Sequence, residues 1–157
     1  PADPERIGTS TRILRSEVLG QGRMNIMTKG ERRFEIEEIV QRVPHSVGRV
    51  RFLVEIEGEG CADLVPQINE EYVDLVRNLT ALTGGYTSRV DIPEDPIELS
   101  YAIAANLDME PHLRQSLLVT ETAATRLFDL IPLLKQGNEA LRERIAKQNP
   151  FQGPRLN

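Results

Sequence analysis

The chain has 157 residues, of which 39% are hydrophobic and 27% charged. These proportions are ordinary for a globular domain and argue against a long disordered segment. We find no run of about eighteen apolar residues and no basic-then-apolar leader, so we expect neither a membrane span nor a signal peptide. Cys61 is the only cysteine, which rules out an internal disulfide and favours a reducing cytoplasm.

The formal net charge is −5, and it is unevenly distributed. Residues 1–57 contain ten Lys/Arg and nine Asp/Glu, whereas residues 58–157 contain nine and fifteen. Clustered cations bind phosphate backbones, so the acidic second half argues against nucleic acid as the main partner. The neighbouring arginines Arg32, Arg33, Arg49 and Arg51 keep an RNA-binding alternative open, although a solvated strand face is their simpler interpretation.

The first part of the chain has the period-two pattern of half-buried strands. Apolar and polar residues alternate in three runs, which contain Met24 and Ile26, then Phe34 and Ile36, then Val50, Phe52, Val54 and Ile56. Turns are predicted at residues 20–23 and 43–45, and a break or bulge near Gly30. Ile39 is out of phase with the preceding residues, which predicts a second bulge. We therefore expect three or four antiparallel strands in a meander.

From Cys61 onwards the apolar period changes to that of a helix. The spacing of Leu64, Ile68, Tyr72, Leu75 and Leu79 predicts a long amphipathic helix over residues 62–82. Asp95-Pro96 is typical of an N-cap followed by proline in the first turn. Two further helices are expected around residues 113–118 and 127–145, and Pro132 predicts a kink in the last one.

Two stretches of this sequence resemble a known family. One contains Ile7-Gly8-Thr9, then Gly22-Arg23-Met24-Asn25-Ile26 and Lys29-Gly30-Glu31-Arg32-Arg33-Phe34. The other contains residues 97–107 (IELSYAIAANL), Arg114-Gln115-Ser116-Leu117-Leu118 and Thr125-Arg126-Leu127. Together they are similar to the N-terminal, substrate-binding domain of the Lon proteases. The resemblance covers residues 7 to 135 and implies a role in selecting polypeptide clients for a protease.

The resemblance is not complete at the N-terminus. Members of the family have proline-rich hydrophobic strands and a short helix ahead of the glycine-threonine strand, and nothing equivalent precedes Ile7. We therefore expect the β-rich subdomain to lack its N-terminal strands. An unpaired sheet edge would follow, through which the chain is able to self-associate.

The sequence carries none of the chemistry of a complete Lon protease. No phosphate-binding loop is present, because Gly20 and Gly22 are not followed by Lys-Ser/Thr. His45 and His112 have no carboxylate or cysteine at metal-ligand spacing. Cys61 begins a helix, whose dipole favours the thiolate, but no base accompanies it. We predict a non-enzymatic, free-standing member without ATPase and peptidase domains, and without cofactor or metal.

Met27 and Leu53 are candidates for client contact. Each is apolar and lies on the opposite strand face from its apolar neighbours, so both faces of the sheet must be covered. The helical subdomain is the simpler cover, and a bound polypeptide is the alternative. Arg51 and Glu55 flank Leu53 and would form a charged rim around such a surface.

These patterns predict an α+β protein with three segments. Residues 1–60 form an antiparallel β-rich subdomain, which by resemblance is a PUA-like pseudo-barrel, residues 61–150 a helical subdomain, and residues 151–157 a flexible tail. The predicted function is non-catalytic binding of unfolded or exposed polypeptide in the cytoplasm, with a protease as a candidate partner and no membrane partner. The alternative is an RNA-binding module of PUA-like fold.

Overall fold

The computed structural model describes residues 3–148. Three strands come first in the chain: β1 (Ile7–Gly20), β2 (Arg23–Gln41) and β3 (Val47–Phe52). Four helices follow: α1 (Cys61–Leu82), α2 (Pro96–Asn106), α3 (Pro111–Val119) and α4 (Ala123–Gln148). The predicted α+β arrangement is confirmed.

The chain divides into two compact units after Val54. We call residues 3–54 the β unit and residues 55–148 the helical unit. The division falls earlier than the predicted one after residue 60, because Glu55 and the residues that follow it contact the helices. The predicted tail, residues 151–157, lies outside the described residues.

The β unit is a three-stranded antiparallel meander in the order β1-β2-β3. A tight turn joins β1 to β2, and its residues Gly20, Gln21 and Gly22 have φ angles of 83°, 53° and 74°. Glycine adopts positive φ without a steric penalty, which explains its presence on both sides of Gln21. This turn and the one near Pro44 are where the sequence predicts them.

β2 remains a single strand of 19 residues because bulges absorb its irregularities. The first register shift with β1 leaves Glu31 unpaired, directly after Gly30. There the Ser10 hydroxyl donates to the Arg32 carbonyl and accepts from its amide, each at 3.2 Å. A register shift with β3 leaves Glu37 unpaired, which confirms the bulge predicted from the phase of Ile39.

The helical unit contains the apolar core. Its buried side chains come mainly from α1, α2 and α4: Cys61, Ile68, Tyr72, Leu75, Leu99, Ile103, Leu107, Leu117, Ala123, Ala124, Leu127, Leu130, Leu134 and Leu141. The predicted α1 face is confirmed by the burial of Ile68, Tyr72 and Leu75. The predicted cap is also present, since the Asp95 carboxylate accepts from the Ile97 amide at 2.7 Å. α4 continues through Pro132, and the kink expected there stays a prediction.

An irregular segment before α1 joins the helices through hydrogen bonds. The amides of Ala123 and Ala124, at the start of α4, donate to the carbonyls of Ile56 and Glu57, both at 2.8 Å. Ile56 also forms an isolated parallel bridge with Thr122. The first amides of a helix have no partner within it, so this segment satisfies two of them.

Candidate polypeptide interface

The turn end of the β unit is a two-stranded ribbon, residues 11–30, that extends beyond β3. Residues paired across antiparallel strands share a face, so the pairs define two surfaces. The pairs Ile13–Thr28, Ser16–Ile26 and Val18–Met24 form what we call the uncharged face. The pairs Arg12–Lys29, Arg15–Met27 and Glu17–Asn25 form the charged face.

The uncharged face is open to solvent. Its four large apolar side chains are each more than half exposed: Ile13 60%, Val18 74%, Met24 56% and Ile26 56%. Exposed apolar side chains that adjoin one another and are rimmed by charge mark interaction surfaces more often than isolated ones do. Methionine and isoleucine side chains in such a surface gain from being covered by another apolar group.

Met27 lies on the charged face, as its alternation with Ile26 predicts. Its side chain is 59% exposed. Arg15, Glu17, Asn25, Ile26 and Met27 line a shallow cavity of about 230 Å³. The Met27 side chain is thus largely exposed, and the polar side chains of Arg15, Glu17 and Asn25 lie beside it.

Leu53 and Arg51 lie at the other end of the β unit. The Leu53 amide donates to the Arg33 carbonyl at 2.9 Å, and the Leu53 side chain is half-buried. Arg33 and Met27 are six positions apart along β2, which corresponds to about 20 Å in an extended strand. Met27 and Leu53 therefore do not form one continuous patch.

Arg51 is engaged with carboxylates on the neighbouring strand. It forms an ion pair with Glu35 and a second with Glu37 at 3.7 Å. Arg6 also contacts Glu35, at 2.8 Å. The side chain of Arg51 remains 58% exposed, so a polypeptide is able to contact it. Its charge is already partly compensated by Glu35 and Glu37.

Glu55 belongs to the helical unit, where it takes part in a polar network. The Tyr101 hydroxyl donates to its two carboxylate oxygens at 3.0 Å each. Arg126, which is fully buried, approaches the same carboxylate at 3.5 Å and stacks on the Tyr101 ring at 4.2 Å. The Arg126 guanidinium also donates to Ser100 Oγ at 2.9 Å and to the Thr120 carbonyl at 3.1 Å. A role for Glu55 in client contact stays a prediction.

The arginines of the RNA-binding alternative are largely occupied within the β unit. Arg32 stacks on the Phe52 ring at 4.0 Å, and Arg49 pairs with Glu38 at 3.0 Å. Arg33 is buried, with 4% of its surface exposed. Arg51 is shared between Glu35 and Glu37, but the side chains of Arg49 and Arg51 remain 67% and 58% exposed. The RNA-binding alternative therefore stays a prediction.

The Cys61 thiol at the start of α1 is buried, which lowers the nucleophilic reactivity that its position at a helix N-terminus suggested. Burial of the thiol raises its pKa above the ordinary value, and the charges of Glu57 and Asp95 raise it further. These effects oppose the helix dipole, which alone favours the thiolate. The thiol is therefore protonated at neutral pH and is a poor nucleophile.

The helical unit has a cavity of about 480 Å³ beside α3 and α4. Leu113 and Leu133 supply apolar lining, and Asp108 and Glu110 stand beside them. Within residues 3–148 no three His, Cys, Asp or Glu side chains are grouped closely enough to hold a metal ion. None of the described helices combines the length and apolar character needed to cross a membrane.

Comparison with known proteins decides the family. The model of the ATP-dependent protease La (LON) substrate-binding domain matches residues 1–136. The chain belongs to this family. The family match concerns the substrate-binding domain, not the ATPase or peptidase domains, and it confirms the predicted resemblance.

Individual Lon proteases match over most of this chain. A Lon protease of Phenylobacterium zucineum is 31% identical over 150 residues, covering 90% of this chain and 18% of that protein. A Lon protease of Anaeromyxobacter dehalogenans is 27% identical over 147 residues, covering 90% and 17%. The chain therefore spans less than a fifth of the length of these relatives.

A solved structure shares the fold. The Lon N-terminal domain protein from Xanthomonas campestris superposes with a TM-score of 0.55 and 20% sequence identity. The superposition covers 82% of this chain and 68% of that one. At this level of identity it supports the α+β architecture alone.

Sequence reasoning missed the uncharged face of the ribbon. Met24 and Ile26 were recognised as one strand face, but Ile13 and Val18 were not connected with them. The bulge at Leu14, between Ile13 and Arg15, hides the period-two pattern of β1. A search for a partner strand across the Gly20–Gly22 turn would have paired Val18 with Met24.

Proposed function

We propose that this chain recognises exposed segments of unfolded polypeptide and presents them to an ATP-dependent protease. The observation that carries the proposal is the exposed apolar surface of the β unit in a domain of the Lon substrate-binding family. Unfolded clients differ from folded proteins in exposing apolar side chains and unpaired backbone groups. The ribbon offers exposed apolar side chains that are able to contact those of a client, and no catalytic group is needed for this task.

Met27, Leu53, Arg51 and Glu55 remain the proposed client-contacting residues, and the uncharged face adds Ile13 and Val18. Because Met27 and Leu53 lie far apart on β2 and β3, we propose that they contact separate stretches of a client. Binding by several weak contacts suits clients of varied sequence. We place this activity in the reducing cytoplasm, where Cys61 has no disulfide partner within the chain.

The test compares binding of a permanently reduced, unfolded protein with binding of single-stranded RNA, each at low and high salt. We expect the unfolded protein to bind and its affinity to persist at high salt, because apolar burial is not screened. Met27→Ser, Leu53→Ser and their combination should weaken client binding. Glu59→Gln, an exposed change in the helical unit, is the matched control and should not.

Two results would contradict the proposal. Binding of RNA with a steep salt dependence and no binding of the unfolded protein would favour the RNA-binding alternative. Client affinity that is unchanged in the combined Met27→Ser, Leu53→Ser variant would move the site away from these residues.

A further inference from the structure

The cavity of the helical unit beside α3 and α4, which we call the α3–α4 cavity, has an apolar part and an acidic part. Its volume is about 480 Å³. Met109, Leu113 and Leu133 supply half-buried apolar lining, whereas Asp108 and Glu110 are exposed. We infer that this cavity binds a polypeptide segment in which bulky apolar residues are followed by lysine or arginine. The inference rests on the proposed function, to which it adds a second contact and a class of client segment.

The segment between α2 and α3, which forms one wall of the cavity, is held from two sides. The Arg114 guanidinium donates to the Leu107 carbonyl at 2.9 Å and to the Met109 carbonyl at 3.4 Å. On the other side the Leu107 side chain is buried against α4, where a Cβ on Gly137 would lie 2.9 Å from Leu107 Cδ2. Glycine at this position therefore allows the segment and α4 to lie close together. A wall that is fixed in this way is ordered before a ligand arrives, which lowers the entropy cost of binding.

The apolar lining determines one half of the ligand pattern. Ligand-binding cavities measure about 300–1,000 Å³, and the volume of the α3–α4 cavity is within that range. Met109 and Leu133 pack against the buried core and are themselves half-buried, so part of each side chain contacts water. A leucine or methionine side chain of a client would replace this water. Met109 is able to adapt its shape to the group that covers it.

Asp108 and Glu110 determine the charge of the ligand. Glu110 is the N-cap residue of α3, but its side chain makes no capping hydrogen bond. Within residues 3–148, no ion pair or side-chain hydrogen bond engages either carboxylate. Among the described residues that line the cavity, none is Lys, Arg or His. Residues 55–157 carry seventeen Asp/Glu and nine Lys/Arg, so the surrounding field also favours a cationic partner over an acidic one.

The experiment measures binding of short fluorescent peptides to the full chain by anisotropy. Three peptides have the same glycine-serine flanks and the cores Leu-Leu-Lys-Lys, Leu-Leu-Glu-Glu and Ser-Ser-Lys-Lys. We expect the first peptide to bind at least about tenfold more tightly than either of the others, from two charge contacts in one case and two buried leucines in the other. High salt should reduce the preference over the acidic peptide and leave the preference over the serine peptide, because apolar burial is not screened.

A charge variant tests the acidic part of the cavity. Asp108→Asn combined with Glu110→Gln should lower the affinity for the Leu-Leu-Lys-Lys peptide about fivefold and flatten its salt dependence. Glu59→Gln combined with Glu94→Gln removes the same charge from exposed positions of the helical unit that do not line the cavity. This control should leave the affinity nearly unchanged. The dipole of α3 also favours carboxylates at its N-terminus, so the melting temperature of each variant is measured as well.

A blocking variant tests the apolar part. Ala140 lines the cavity at an exposed position of α4, so Ala140→Phe should fill the cavity without disturbing the core. This variant should remove the preference for the leucine peptide over the serine peptide, and Ala140→Leu is the milder change if it does not fold. Ala146→Phe, at an exposed position of α4 that does not line the cavity, is the matched control.

Equal affinity for the basic and acidic peptides, or an affinity that Ala140→Phe does not change, would overturn the inference. So would a charge variant that loses stability but keeps its affinity, because the carboxylates would then serve α3 alone. If the reduced unfolded protein still binds in these cases, the proposed function stands and only the cavity site fails. If neither the peptides nor the unfolded protein binds, the proposed function itself fails. Self-association that Ala140→Phe abolishes would show that a second copy of the chain occupies the cavity, which also overturns the inference.

Discussion

The β unit and the helical unit expose and bury apolar side chains in opposite ways. All fourteen buried apolar core residues among residues 3–148 belong to the helical unit, mainly to α1, α2 and α4. Among residues 3–54, by contrast, Arg33 is the one buried residue. The two parts also differ in charge: residues 1–54 carry ten Lys/Arg and seven Asp/Glu, whereas residues 55–157 carry nine and seventeen.

This difference suits the two units to two roles: the helical unit stabilises the fold, and the β unit carries the proposed client-binding surface. The helical unit buries its apolar side chains in its own core. Its exposed surface is mainly polar and acidic. The ribbon of the β unit is held together by strand pairing, and its apolar side chains remain exposed to solvent. A two-stranded ribbon is marginally stable alone, and burial of its exposed face against another chain stabilises both. Four changes test this division, from the largest expected effect on stability to the smallest.

Replacement of Leu75 by alanine should lower the free energy of unfolding by about 2–5 kcal/mol, through lost burial and a residual cavity. Leu75 is 1% exposed, in the centre of α1. Urea denaturation followed by the helical circular dichroism signal measures the change. Val18→Ala is the matched control in the ribbon and should cost less than about 0.5 kcal/mol. Equal costs for the two substitutions would contradict the division.

Glu55→Gln should cost about 1–3 kcal/mol by weakening the polar network around Arg126. We expect a cost near the lower end of this range, because the Glu55 side chain is 30% exposed and water reaches it. The side chain of Arg126 is fully buried. Denaturation of the full chain is the measurement, with the exposed Glu59→Gln as control. A stability equal to that of the control would show that water, rather than Glu55, compensates the Arg126 charge.

Cys61 should make the stability of the helical unit sensitive to alkaline pH. Because its pKa is raised by folding, the neutral thiol stabilises the native state fully below the ordinary value of 9.0, and this contribution is lost as pH rises through the native pKa. Cys61→Ser removes the titration, so the stability difference between wild type and variant should narrow with rising pH. A stability difference between wild type and Cys61→Ser that stays constant with pH would contradict a raised pKa for Cys61. Client binding should be unchanged in the variant.

Met27→Ser should change stability by less than about 0.5 kcal/mol, because the side chain is already largely in water. The same change should weaken binding of the reduced unfolded protein. Leu53→Ser is expected to cost more, since Leu53 is half-buried, and the two effects on melting temperature should be independent at this separation. Unfolding of the Met27→Ser single variant would place Met27 in a core and refute the exposed-ribbon interpretation.

Much of this architecture is predictable from local patterns. The helical period of Ile68, Tyr72 and Leu75 identified α1 and its buried face, because a helix repeats its environment every few residues whatever it packs against. Asp95-Pro96 identified the start of α2 for a similarly local reason. The bulge near Ile39 followed from a phase error within one strand. The family followed from ordered motifs that extend over most of the chain.

The candidate site was less predictable, because it depends on pairing between strands. Alternation correctly separated Met27 from Ile26 but did not indicate how far Met27 lies from Leu53. Nor did it indicate that Glu55 is engaged by Tyr101 and Arg126, residues distant in sequence. The charge of a residue shows what it is able to bind, but its folded neighbours decide whether that capacity is already used.

The sequence by itself thus determined the order of strands and helices, the face of α1 that is buried and the family of the chain. The strands, the helices and the buried face of α1 depend on the period of side chains along one segment, and the family depends on motifs ordered along the chain. Only the tertiary structure decided which apolar residues remain exposed. That outcome depends on the register of β1 against β2, where the bulges at Leu14 and Glu31 shift side chains between faces, and a one-residue shift in register exchanges the face of every residue beyond it.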